Sequence, residues 1–166
     1  CGSGQVDIDI KHMINITALD VSCLALHTYQ KIHKNPYKLI HGTIFNIPAN
    51  DKTYNGVYNL GVMEHFTEEE IQRILSEFHR VLKSRGTIIL FWPPEFGLSV
   101  MFMKVVHYVL NTILKKNVRM HPDELTRIKS KKHVTRILEE ANFNLINYYF
   151  GIKDLFTYVV IVAQKE

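Results

Sequence analysis

Val57-Tyr58-Asn59-Leu60-Gly61 leads into Val62-Met63-Glu64-His65-Phe66 and Thr67-Glu68-Glu69-Glu70, and Arg80-Val81-Leu82-Lys83-Ser84-Arg85-Gly86 then precedes Thr87-Ile88-Ile89-Leu90-Phe91-Trp92. An apolar run, a helix start and a second apolar run, in that order, spell strand, helix, strand. Thr67 and Glu70 make a capping box, the Thr hydroxyl and the Glu carboxylate each satisfying the other's orphan amide. The helix is expected to reach about Lys83, with Ile71, Ile74, Leu75, Phe78 and Leu82 facing the core.

The same alternation extends both ways. Upstream, Ile16-Thr17-Ala18-Leu19-Asp20 and Ile40-His41-Gly42-Thr43 read as buried strands leading into loops. A helix from Ser22 to His33 lies between them, capped by Ser22, with Cys23, Leu24, Leu26 and Tyr29 on its apolar side. Downstream, Ser130 starts a helix that stops near Asn142, and Asn144 to Phe150 and Thr157 to Ala163 read as the last strands. Strands alternating with helices imply a largely parallel sheet covered on both faces. The chain opens on Cys1-Gly2-Ser3-Gly4, whose glycines allow a tight turn and close approach to a ligand. Such a turn follows a strand and opens a helix. Val6 to Ile10 alternates like a strand, yet Asp7 and Asp9 suit the positive end of a helix, and a helix is the expectation.

In order and spacing, these elements resemble the class I S-adenosylmethionine-dependent methyltransferases, especially the type 11-like enzymes acting on small molecules. The resemblance covers nearly the whole chain. It implies a Rossmann-like, doubly wound, mostly parallel α/β sheet that lacks its first strand here, in a single domain over 1–166 with 98–129 as a lid or insertion. Its cofactor would be S-adenosyl-L-methionine. Gly2 and Gly4 match the remnant of the family's first motif, and Asp20, followed by Val21, matches the acid that binds the ribose hydroxyls. Thr43 and Ile44 fall in the loop that edges the adenine, where the family often carries an acidic residue that Thr43 cannot replace. Asn59 and Leu60 fit the end of the strand beside the methionine moiety, and the final strand should run antiparallel. With the strand before the glycine turn lying upstream, residues 1–166 alone are expected to bind the cofactor weakly or not at all and to aggregate through open strand edges.

At 166 residues, 46% hydrophobic and 22% charged, the chain suits one globular domain, and no repeat or low-complexity tract interrupts it. Two cysteines give neither a disulfide framework nor a metal cluster, which makes a reducing cytoplasm the default. The net charge of +4 permits an anionic substrate without requiring one. Aromatic residues are not interleaved with a strong basic face, which argues against nucleic acid as a partner. Lys129-Ser130-Lys131-Lys132-His133 reads as a solvated helix start.

Glu64-His65 is the pair that could ligate a metal or move a proton. Quinone O-methyltransferases, a related branch, use a second Glu three residues earlier, and Gly61 stands there, so no metal is expected. The pair then shapes the exit from strand to helix. His65 and His107 remain the candidate bases, and Pro93-Pro94 a rigid exit that aims Glu95 to Gly97 at the reactive face. From Leu98 to Leu114, a helical wheel puts Lys104, His107, Asn111 and Lys115 on one polar stripe in an otherwise apolar surface. Such a helix is a packed lid or dimer element, the lining of an apolar acceptor pocket, or, through 98–115, a peripheral membrane contact. The expected activity is methyl transfer to a small, apolar acceptor, and the alternative is an inactive methyltransferase-like binding subunit.

Overall fold

The computed structural model describes residues 1–10, 12, 14–33, 38–95, 106, 108, 111, 112, 115, 124–152 and 156–166. They form two compact units, Cys1–Asn50 and Asp51–Glu166.

The first unit contains a 3-10 turn at Gln5–Asp7, strand β1 (Thr17–Asp20), helix α1 (Cys23–Ile32) and strand β2 (Lys38–His41). The two strands pair in parallel from Thr17 opposite Lys38 to Asp20 opposite His41. A parallel pair needs a crossover, and α1 lies within it. The Ser22 hydroxyl caps α1 by accepting from the Ala25 amide at 3.3 Å. Leu26 and Tyr29 are the apolar residues that α1 buries. Contrary to the sequence reading, Cys23 and Leu24 face outward. The helical period explains Leu24: Leu26, Tyr29 and His33 are three or four residues apart and share a face, whereas Leu24 stands about 200° from Leu26; Cys23 is exposed as the first residue of the helix. The helix expected at Val6 to Ile10 is reduced to the single 3-10 turn, and Asp7 turns inward instead of facing a helix end. Its carboxylate accepts the Tyr29 hydroxyl at 2.6 Å, and that bond keeps it buried.

The second unit runs β3 (Tyr54–Leu60), a 3-10 turn at Met63–His65, α2 (Glu68–Val81), β4 (Leu82–Trp92), α3 (Lys131–Glu140), β5 (Phe143–Tyr149) and β6 (Val159–Lys165). The sheet order is β3-β4-β6-β5. β3 and β4 are parallel, and β6 is antiparallel to both β4 and β5. Within this sheet only β6 therefore runs against the rest, as expected of the final strand.

The capping box forms as read: the Glu70 amide donates to the Thr67 hydroxyl at 3.3 Å, and the Thr67 amide donates to the Glu70 carboxylate at 2.9 Å. Ile71, Ile74, Leu75, Phe78 and Leu82 are buried. The helix stops at Val81, however, and β4 begins at once at Leu82, where a link was expected. Leu82 pairs with Tyr54, the register then shifts to Gly56 opposite Thr87, and Arg85 sits at φ 61°. What reads in sequence as a helix end and turn is thus an irregular stretch at the start of a strand. In β4, Ile88, Leu90 and Trp92 are buried with their partners Ala163, Ile161 and Val159 on β6, and α2 and α3 supply Phe78, Ile137 and Leu138 to the core.

Lys165 is the unexpected member of this core, only 8% exposed. Its ammonium donates to the carbonyls of His79 at 2.6 Å and Leu82 at 3.0 Å, at the C-terminal end of α2. Those carbonyls lack helical partners, and a cation there also matches the negative end of the helix dipole. Replacing Lys165 by Met keeps the aliphatic stem and removes both bonds. The expected loss is about 2 kcal/mol, read from the urea midpoint at unchanged m-value.

Candidate functional site

In the first unit, both glycines of the opening turn adopt left-handed backbone, Gly2 at φ 55° and Gly4 at φ 65°. A Cβ on Gly4 would meet Tyr29 Cε2 at 2.2 Å, so neither the conformation nor the space admits a larger residue. Asp20 stands where β1 ends. Its Oδ2 accepts from the Gly2 amide at 3.0 Å and from the Cys1 α-amino group at 2.7 Å, and its Oδ1 accepts from the Ser22 amide at 2.9 Å. Burial alone would raise this carboxyl's pKa. The hydrogen bonds from the Gly2 and Ser22 amides oppose that effect. A carboxylate offers about four lone-pair directions, so one on Oδ1 stays open beyond these three bonds.

Val21 follows with its side chain exposed and its carbonyl accepting from His41 Nε2 at 3.0 Å. Thr43 turns its hydroxyl back on its own loop, where it accepts from the Phe45 amide at 3.3 Å, and Ile44 is half-buried. Gly2, Gly4, Asp20 and Val21 therefore gather at the carboxyl end of β1. Thr43 and Ile44 occupy the turn after β2, following Gly42, whose amide donates to the Asp20 carbonyl at 3.0 Å.

In the second unit, Asn59 and Leu60 end β3. Both polar atoms of the Asn59 amide, Nδ2 and Oδ1, are buried without a hydrogen-bond partner among the described residues. Leu60 remains 41% exposed. Gly61 turns the chain at φ 65°, and a Cβ there would stand 3.3 Å from Glu64 Oε1 and 3.4 Å from the Tyr158 hydroxyl. Glu64 is 5% exposed, and its Oε2 also lacks a partner among the described residues. Burial, aided by the charge of Glu124, pushes its carboxyl above the ordinary range, against the opposing effects of its own backbone amide, His65 and Arg127. Burial likewise raises the Tyr158 phenol, with Glu64 and Glu124 adding to the effect.

The backbone around Glu64 is fixed from outside. Its carbonyl accepts from the amides of Leu125 at 2.6 Å and Thr126 at 3.1 Å, and Trp92 Nε1 donates to the Thr126 carbonyl at 3.0 Å. Pro93 and Pro94 are buried, and the Pro93 carbonyl accepts from the Ile128 amide at 3.1 Å. Residues 124–128 are thus laid along the proline exit, and the expected aim of Glu95 to Gly97 falls in part outside the described residues. His65, the neighbouring candidate base, is half-buried. His107, together with most of 98–123, falls outside the described residues.

Among the described residues, no group of three or more His, Cys, Asp or Glu side chains is placed to hold a metal ion, and no helix is long and apolar enough to cross a membrane. Sequence reasoning did not find the buried state of Glu64 or its neighbour Tyr158, because a Glu defaults to solvent and Tyr158 is distant in sequence. It also passed over the Asp7, Tyr29 and His33 group. The i, i+4 spacing of Tyr29 and His33 on α1 was the available signal.

A family model described as a methyltransferase domain matches residues 1–90. No curated protein matches the sequence at a significant level. Among solved structures, a S-adenosylmethionine-dependent methyltransferase from Methanosarcina mazei superposes with a TM-score of 0.74 at 17% identity, over 99% of this chain and 89% of that one. The magnesium protoporphyrin IX methyltransferase of Synechocystis PCC 6803, solved with bound SAH, gives 0.70 at 16% identity over 100% and 71%. The [4+2]-cyclase SpnF gives 0.67 at 14% identity over 99% and 72%. At these identities the likeness is one of fold.

The raised Glu64 carboxyl has a consequence for stability. With a higher pKa folded than unfolded, it keeps more protons in the native state, so its contribution falls as pH rises through and above its ordinary 4.5. Glu64→Gln removes that titration. The melting temperature of the variant relative to the parent should climb between about pH 4 and pH 7. Parallel curves would show that Glu64 titrates normally.

Proposed function

Since the chain belongs to the methyltransferase-domain family, whose model matches residues 1–90, we propose that it binds S-adenosylmethionine and transfers its methyl group to a small, apolar acceptor. The observation that carries this reading is the Asn59 amide, buried at the carboxyl end of β3 with Nδ2 and Oδ1 both unpartnered among the described residues. A buried amide left in that state costs about 1 to 3 kcal/mol for each group. A ligand with an ammonium and a carboxylate answers both needs, since Oδ1 accepts from the first and Nδ2 donates to the second. The carboxyl ends of parallel strands are where such folds take ligands.

The residues of the first unit, taken by themselves, fit a nucleoside. The open lone pair on Asp20 Oδ1 suits a ribose hydroxyl, and the ionised state of the group strengthens that bond. The exposed Val21 side chain offers apolar contact to a flat base. Thr43 offers only a hydroxyl already engaged with Phe45, so the adenine amino group would be met by backbone.

The bound sulfonium supplies an already electrophilic methyl group. The protein's own contribution is then to orient, to align and to keep water away. No proton needs to move at Glu64 or His65 for that chemistry. The exposed Leu60 supports an apolar acceptor. The exposed free cysteines, Cys1 and Cys23, suit a reducing cytoplasm.

Two substitutions test the reading by calorimetry with S-adenosylhomocysteine. Asp20→Ala should weaken binding roughly tenfold to a hundredfold, the loss of one charge-assisted hydrogen bond. Asn59→Leu should weaken it by roughly tenfold while raising the melting temperature, because an apolar side chain removes the unpartnered amide. Affinity unchanged in both variants removes these residues from the site. Cofactor binding by the parent without methyl transfer to any small acceptor would favour a binding subunit.

A further inference from the structure

A buried cluster of Asp7, Tyr29 and His33 lies beneath the glycine turn. Tyr29 is fully buried and His33 is 1% exposed, and their rings stack with centroids 4.2 Å apart at 26°. The Tyr29 hydroxyl donates to Asp7 Oδ2 at 2.6 Å, and Asp7 is itself 4% exposed. His33 Nε2 lies 2.9 Å from the Gly4 carbonyl oxygen, which can only accept, so Nε2 carries the proton. His33 Nδ1 has no partner among the described residues. The Gly4 carbonyl also accepts from the Asp7 amide at 2.9 Å, so both of its lone pairs point into this cluster.

A peptide unit is planar and trans, so its carbonyl and the next residue's N–H point in opposite directions. Drawing the Gly4 carbonyl inward therefore turns the Gln5 N–H away from the cluster. A carbonyl able to rotate would present its own oxygen to an approaching anion. We propose that Asp7, Tyr29 and His33 are positioning residues that lock the Gly4–Gln5 peptide, and with it the glycine turn, in the orientation that admits the cofactor. This rests on the reading of the turn as part of a S-adenosylmethionine site. None of the three side chains needs to touch the ligand. His33 holds the carbonyl, Tyr29 fills the space that only a glycine leaves free, and Asp7 holds Tyr29 while supplying the second donor through its backbone.

The test is calorimetry with S-adenosylhomocysteine on the full chain carrying His33→Leu, His33→Gln and Tyr29→Phe, with melting temperatures showing that each variant is folded at the titration temperature. His33→Leu and Tyr29→Phe should raise the dissociation constant about tenfold, the equivalent of one hydrogen bond. His33→Gln should restore it to within about threefold, because a Gln side-chain amide offers a donor where Nε2 stood. A residue that serves only packing would lower the melting temperature of all three without this pattern. Unchanged affinity in folded His33→Leu and Tyr29→Phe, with the parent binding normally, overturns the inference alone. If His33→Leu does not fold, the decision rests on Tyr29→Phe and on the absence of any loss in His33→Gln. A parent that fails to bind S-adenosylhomocysteine overturns the proposed function, and this inference with it.

Discussion

Parallel pairing is the constraint on which the rest depends. Each unit holds one parallel pair, β1 with β2 and β3 with β4, and each pair delivers a polar side chain at its carboxyl end. A parallel neighbour cannot be reached by a tight hairpin, so the chain must leave the strand end, form a helix and return. The residue at the exit therefore faces a loop that is free to turn toward a ligand. Asp20 and Asn59 hold those exits; the left-handed Gly61 turns the chain after the second, while at the first the left-handed Gly2 of the opening turn reaches the Asp20 carboxylate through its amide.

The two exits solve the problem of a polar group at a strand end differently. Asp20 is satisfied by backbone donors from Gly2 and Ser22, which also keep it ionised. Asn59 is left without partners among the described residues, and Glu64 nearby in sequence is left with one bare oxygen. A folded domain has only about 5 to 15 kcal/mol of net stability, so such groups are a real cost when no ligand is bound. That cost is tolerable here because β4 is paired on both sides and backed by an apolar face running through Ile88, Leu90 and Trp92.

Much of this was legible in the sequence, for reasons that differ by element. The strands through Asp20, Asn59 and Trp92 are apolar runs that end at polar or turn residues, and Thr67 with Glu70 announces α2 by a mechanism that needs no tertiary contact. The register of β4 was hidden, because Lys83-Ser84-Arg85-Gly86 carries the residues of a turn while its backbone belongs to the strand. The outward face of α1 was misread because Leu24 is apolar in kind yet lies off the buried stripe, and Cys23, though three residues from Leu26, is exposed at the first position of the helix. The buried residues of charged type were hidden for a different reason. Asp7, Glu64 and Lys165 are charged types whose default is solvent, and only partners distant in sequence, such as Tyr29 for Asp7 and the α2 carbonyls for Lys165, make their burial tolerable.

The buried groups also separate stability from activity. Lys165 closes the C-terminal end of α2, and nothing in its contacts reaches toward a strand exit. Asp7, Tyr29 and His33 lie on the other side of that division, because His33 and the Asp7 amide bind the carbonyl of the glycine turn proposed to receive a ligand, and Tyr29 holds the Asp7 carboxylate. A hydrogen bond between fixed elements adds only to stability. One that fixes the orientation of a peptide also determines which atom of that peptide a ligand meets. Gly4 needs both kinds of support: the left-handed backbone that glycine permits leaves the peptide free to rotate, and His33 and the Asp7 amide remove that freedom.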